Sequence, residues 1–186
     1  MKKRVFIIHG WGATPYSNWF PFVKAKLNEL GFDSDALQMP NADFPVQEQW
    51  VSHMQETIGN ADENTFLIGH SLGVISILRF IESLPERQKI GGAILVAGFS
   101  ESLGIIAEIE NFFDKPVDYD KIKAQSNNVV VINSDDDPYV PIEKSYILRD
   151  KLNAKLIILK GAGHINLGTG NFEFPEVVAE LLNMSK

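Results

Sequence analysis

Six short runs, each followed by a turn signal and then an amphipathic stretch, constrain this chain more than any other feature. They are Arg4–Ile8, Ser34–Gln38, Thr65–Ile68, Ala93–Ala97, Val129–Asn133 and Lys155–Leu159, and most are unbroken sequences of Val, Ile, Leu and Phe. A strand with one wet face alternates apolar and polar residues, whereas an unbroken apolar run needs cover on both faces, as in a parallel sheet. The intervening segments have helical spacing. Phe20, Val23, Leu27 and Leu30 form one stripe that stops at Gly31. Val46, Trp50, Met54 and Ile58 repeat every four residues, and Leu72 to Leu84 ends before Pro85. Ile142–Leu152 and Pro175–Leu182 are two further helices, the last with proline suited to its first turn. The order βαβαβαβ predicts an α/β fold with a compact, doubly wound, mostly parallel sheet.

At 186 residues without internal repeats or linkers, residues 1–186 are expected to form one domain. Gly98 to Asn128 is the one irregular stretch, with short helices expected around Leu103–Phe113 and Tyr119–Gln125, and residues 99–128 are read as a small cap. The net charge of −7 repels phosphate backbones, so no nucleic-acid partner is expected. With no cysteine there is no disulfide, thiolate metal site or Cys nucleophile. Lys2-Lys3-Arg4 before Val5–Ile8 imitates the start of a signal peptide, but the apolar run ends after four residues at His9-Gly10. No segment is apolar for long enough to span a bilayer. The expectation is a cytoplasmic protein without a membrane partner.

Chemistry concentrates in Phe66-Leu67-Ile68-Gly69-His70-Ser71-Leu72-Gly73. Read as strand, sharp turn and helix, it contains Gly69-x-Ser71-x-Gly73, the pattern of a nucleophile elbow. Such a turn lifts the serine hydroxyl clear of the strand end and sets it at a helix N-terminus, where amide groups favour developing negative charge. The plainer alternative is a glycine-softened turn with an N-capping serine.

A serine needs a base. Of the four histidines, His9 and His70 sit on turns beside the nucleophile, and His53 lies in a helix facing away. His164, in Gly161-Ala162-Gly163-His164-Ile165, follows the last apolar run, as the chain order Ser…Asp…His requires. The orienting acid is sought after Val129–Asn133, where Ser134-Asp135-Asp136-Asp137-Pro138-Tyr139-Val140-Pro141 begins. Asp137 is chosen for the spacing Asp-x-x-Val-Pro found at hydrolase triad acids, with Asp135 and Asp136 read as solvated loop residues. A divalent-cation loop is the competing reading, weakened by the two prolines and by the lack of regularly spaced ligands. The oxyanion hole is expected from the backbone N–H groups of Trp11, in the loop after the first strand, and Leu72. Trp11, Trp19, Phe99, Phe112 and Phe113 are candidates for an apolar acyl pocket, each with core or cap packing as the alternative.

On Val5–Gly10, Ile68–Gly73, Ser134–Pro141 and Gly163-His164, the chain resembles the retinoblastoma-binding-protein-nine family of small α/β hydrolases nearly end to end. The resemblance implies the α/β-hydrolase fold with a minimal cap, serine hydrolase activity without a cofactor or metal, and a triad of Ser71, Asp137 and His164. The retinoblastoma-pocket motif Leu-x-Cys-x-Glu cannot occur in a chain without cysteine, so that partner is not expected. The expected substrate is a small ester, thioester or amide cleaved through an acyl-enzyme. A non-catalytic binding module on the same fold and an acyltransferase using the same residues remain the alternatives.

Overall fold

The computed structural model describes residues 2–186. Among these, six strands form one sheet: β1 (Arg4–Ile8), β2 (Asp33–Leu37), β3 (Thr65–His70), β4 (Gly92–Val96), β5 (Val129–Ser134) and β6 (Lys155–Leu159). Their order is β2-β1-β3-β4-β5-β6, and every neighbouring pair is parallel. The central strands β3 and β4 are buried at every position, as their unbroken apolar sequences demand. The edge strands differ in kind: β2 reads Asp-Ser-Asp-Ala-Leu with alternating exposure, and β6 begins with an exposed Lys155.

Among the described residues, six α-helices cover the sheet: α1 (Phe20–Glu29), α2 (Gln47–Ile58), α3 (Leu72–Ser83), α4 (Tyr119–Gln125), α5 (Ile142–Leu152) and α6 (Pro175–Met184). Strand residues of one parity face one layer and those of the other parity the opposite layer. Val5, Ile7, Phe66, Ile68, Ile94 and Val96 pack with α1 and α6. Phe6, Ile8, Leu67, Ala93, Leu95 and Val131 pack with α2, α3, α4 and α5. This division follows from handedness. The chain moves one way from β1 to β2 and the other way for every later crossover, so right-handed connections put α1 on one face and α2 to α5 on the other. The face beside α1 is then closed by α6. The direction reverses at β1 and β3, and a crevice opens there at the strands' C-terminal ends.

Residues 99–128 divide in two. The first part, with a 3-10 helix at Ala107–Phe113, arches over the C-terminal end of the sheet, while α4 serves as the crossover from β4 to β5. Arg79, buried on α3, ties the arch down. Its guanidinium donates to the Phe112 carbonyl oxygen from Nε (3.2 Å) and Nη2 (3.0 Å), to the Pro116 carbonyl (3.3 Å) and to that of Lys115, and pairs with Glu82 at 2.9 Å. Replacing Arg79 with Leu strands these carbonyls, and the expected cost is about 2–4 kcal/mol of unfolding free energy, read from the urea midpoint. An unchanged midpoint would mean that the arch is held by its apolar contacts alone. Among the described residues, no helix is long and apolar enough to cross a membrane.

Candidate active site

Ser71 sits between β3 and α3 at φ 54° and ψ −119°, a conformation that costs an L-residue strain and is found at functional turns. Its neighbours explain why the turn is so tight. A Cβ on Gly69 would lie 2.8 Å from the Gly73 carbonyl oxygen, and one on Gly73 would drive into the carbonyl of Ile8. Backbone bonds hold the elbow: Ser71 N–H donates to Val96 O (2.9 Å), and Val74 N–H donates to Ser71 O (3.0 Å). Leu72 opens α3, so its N–H has no intrahelical carbonyl to reach. Because Ile8 and Gly69 are register partners, the turn after β1 lies alongside the elbow. Trp11 in that turn is partly exposed at the mouth of the site, with its indole N–H donating to Asp43 O at 2.9 Å.

The acid loop and the histidine loop meet through a set of matched bonds. His164 Nδ1 lies 2.8 Å from Asp137 Oδ2 and 3.1 Å from Oδ1. Asp137, its side chain only 1% exposed, also accepts the N–H groups of Tyr139 (2.9 Å) and Val140 (3.0 Å) at Oδ1. Donation from Nδ1 to the carboxylate leaves Nε2 as the acceptor on the ring. The residues just before Asp137 are exposed, as expected, yet they have work the sequence reading did not assign. Asp135 accepts Gly161 N–H (2.8 Å), Ser134 Oγ accepts Ala162 N–H (2.8 Å), and Asp136 accepts Gly163 N–H (2.7 Å) and the Ser134 hydroxyl (2.6 Å). Three successive amides before His164 are thus clasped by three successive residues before Asp137. The Ser134 hydroxyl, followed by the Gly163 amide, holds the Asp136 carboxyl below its usual range.

On the opposite side the histidine loop rests on buried side chains. Ile165, a β-branched residue at φ 49°, is a second strained position, and its carbonyl accepts the Trp19 indole N–H at 3.0 Å. Trp19 is therefore a support in the α1 layer, packed edge-on against Phe20 and Phe174. His70 donates from Nε2 to the His164 carbonyl (2.9 Å). His9 donates from Nδ1 to Gly10 O (2.8 Å) and accepts Met39 N–H at Nε2 (3.1 Å), which anchors the turn carrying Trp11. His53 lies well apart, lining a different surface cavity with Pro21 and Lys24 of α1.

A cavity of about 280 Å³ brings the expected residues together: Ser71, Leu72, Trp11 and His164 line it with Tyr139, Val140 and the arch. Of the five aromatic candidates, Trp11 and Phe99 reach it. Phe112 turns into the core against Trp50, and Phe113 stacks on Phe99.

Burial pushes the His70 imidazole down to about 3, helped by the His164 ring 4.9 Å away, and burial likewise lowers His9. The His70 ring stays neutral in the folded protein at pH 5 and above while the unfolded chain takes up its proton below about pH 6.5, and His9 shifts in the same direction. Above that pH the His70 ring is neutral in both states and adds no pH dependence. As pH falls below it, stability is lost by about 1.4 kcal/mol per pH unit for the proton that His70 excludes. Urea unfolding between pH 7.5 and 5 should show this slope, and His70→Gln, which keeps a donor for the His164 carbonyl, should reduce it by one proton. A slope unaffected by that substitution would contradict the buried neutral assignment.

A parallel sheet with a strained serine elbow at its topological switch point, facing a carboxylate-bound histidine from a later loop, defines an α/β hydrolase. The chain belongs to the Serine hydrolase family, whose profile matches residues 5–183. It is 37% identical over 177 residues to YdeN of Bacillus subtilis (strain 168), covering 95% of this chain and 93% of that protein. It is 30% identical over 178 residues to Serine hydrolase RBBP9 of Rattus norvegicus, covering 95% and 91%. The crystal structure of the ydeN gene product from B. subtilis superposes with a TM-score of 0.95 at 36% identity, covering 98% of both chains. The resemblance read from the motifs is borne out at the level of fold and family.

Proposed function

We propose that the protein hydrolyses small esters, thioesters or amides through an acyl-enzyme on Ser71, with His164 as general base and Asp137 as its orienting acid. The observation that carries this reading is the buried Asp137 carboxylate 2.8 Å from His164 Nδ1, with Ser71 and the His164 ring lining one cavity. His164 Nε2 takes the proton from Ser71 Oγ as the oxygen attacks the acyl carbon. The N–H groups of Trp11 and Leu72 receive the negative charge that develops on the carbonyl oxygen. Collapse of the tetrahedral species expels the leaving group, which takes the proton from Nε2. A water, deprotonated by the same nitrogen, then releases the acid and returns the serine. Asp137 holds the Nδ1–H tautomer and stabilises the imidazolium between these transfers. Membership of the Serine hydrolase family supports the reaction class.

The test is turnover on a panel of p-nitrophenyl esters, acyl thioesters and aminoacyl amides, with His164→Ala alongside. Turnover of at least one class, lost in the variant, is the expected result. Ligand binding without turnover of any class would favour a non-catalytic module instead.

A further inference from the structure

Two cavities of different character meet at Ser71, sharing Trp11, Ser71 and His164. The first, about 280 Å³, lies under the arch and is walled by Leu72, Phe99, Leu103, Ile106, Ile109 and Val140. The second, about 270 Å³, lies between the turn after β1 and the histidine loop, where Ser17, Asn18 and Asn166 join the backbone of Gly10 to Ala13. Among the described residues, no Lys, Arg, Asp or Glu lines either one. A charged group drawn into either cavity would lose its hydration without gaining a counter-ion.

The walls differ in what they can satisfy. Apart from the reacting Ser71 and His164, the apolar cavity offers one side-chain hydroxyl, that of Tyr139, so most oxygens of a hydroxyl-rich group buried there would go unpaired. In the polar cleft the amide oxygens are already engaged: Asn18 Oδ1 accepts Leu167 N–H and Asn166 Oδ1 accepts Thr169 N–H, each at 3.2 Å. Their Nδ2 groups are the remaining donors, suited to neutral oxygen acceptors. Asn18 is held at φ 54°, a left-handed conformation that asparagine tolerates better than most residues. Direction follows from the chemistry. The leaving group takes its proton from His164, which borders both cavities, and the next residue of that loop to line either one, Asn166, lines only the polar cleft. The acyl carbonyl faces the Leu72 amide, whose side chain walls the apolar one.

Taking Ser71 as the acylated nucleophile, we propose that the substrate is an ester of a neutral, hydroxyl-bearing alcohol such as a glycerol or sugar unit. Its acyl group is an uncharged apolar chain. At roughly 30 Å³ per heavy atom, about that of a water molecule, a cavity of about 280 Å³ suits an acyl group on the order of nine atoms. The apolar side selects the acyl chain, and Asn18 and Asn166 select the alcohol.

The experiment measures kcat/KM on a grid of 1-monoacylglycerols and the matching propyl esters, from acetyl to dodecanoyl, with succinyl esters as the charged comparison. Wild type, Leu103→Trp and Asn18→Asp are compared, each checked for a competent serine with a short-chain fluorophosphonate. Asn18→Asp keeps the acceptor for Leu167 N–H and removes the Nδ2 donors. The expected rise is about fourfold per methylene until the cavity is full, then a decline. Glycerol esters should be preferred to propyl esters, and Asn18→Asp should cut that preference about tenfold. Leu103→Trp should move the optimum to shorter acyl chains equally in both series. Succinyl esters cleaved as well as butyryl ones would overturn the proposal. So would a glycerol preference indifferent to Asn18→Asp, or a Leu103→Trp optimum that follows the alcohol instead of the acyl group. In each of those cases a labelled, ester-cleaving wild type would leave the nucleophile assignment standing. A wild type that neither labels nor cleaves any ester would defeat that assignment itself.

Discussion

Ser71→Ala is expected to lower kcat by about 10⁶ while leaving the fold intact, the loss measured when a serine hydrolase nucleophile is removed from an otherwise complete site. The magnitude follows from what stays behind. In the proposed mechanism the His164–Asp137 pair and the backbone donors remain, but no oxygen is activated to attack the substrate. The elbow should survive because main-chain bonds hold it, from Ser71 N–H to Val96 O at 2.9 Å and from Val74 N–H to Ser71 O at 3.0 Å. Alanine keeps both. Steady-state rates on the best ester, with far-UV and near-UV circular dichroism as the folding control, check this. A folded Ser71→Ala protein with wild-type turnover would move the nucleophile elsewhere.

Asp137→Asn is expected to lower kcat by about 10⁴. The carboxylate accepts from His164 Nδ1 and from the amides of Tyr139 and Val140 at Oδ1. An asparagine can keep the amide contacts through its carbonyl oxygen, but its NH2 group then faces Nδ1. The ring would answer by moving its proton to Nε2, which removes the acceptor that Ser71 needs. Asp136→Asn is the informative contrast. There an amide oxygen still accepts the Gly163 N–H and the Ser134 hydroxyl, so the histidine loop keeps its clasp and the loss should stay below about tenfold. A larger loss at Asp136 than at Asp137 would shift the assignment along the loop.

Much of this was legible in the residues because the strongest signals are local. The continuous runs at β3, β4 and β5 are apolar on both faces, and only a covered parallel strand explains that. The weaker run Ser34–Gln38 also marks a strand, although β2, Asp33–Leu37, begins and ends one residue earlier. Gly69 and Gly73 betrayed the elbow through sterics that any reading of spacing can reach. The rest depends on contacts between residues far apart in sequence. The Asp135, Ser134 and Asp136 clasp spans about 26 to 28 positions, and nothing in three adjacent acids says which amides they will meet. Trp19 resembled a pocket aromatic because it stands in a loop over the strand ends. Its role as a buried donor to Ile165 emerges only once α1 and the histidine loop are packed together. Arg79 gave no signal either, since a charged residue in a largely apolar helix reads as a solvated position until the carbonyls of the arch surround it.

The central claim, that Ser71 is acylated with help from the His164 and Asp137 pair, is tested most directly by intact-mass and peptide mapping after exposure to a fluorophosphonate. The expected result is a single adduct, located on the peptide containing Ser71, absent in Ser71→Ala and formed far more slowly in His164→Ala and Asp137→Asn. An adduct on another residue, or labelling of Ser71 at an unchanged rate when His164 is alanine, would contradict it.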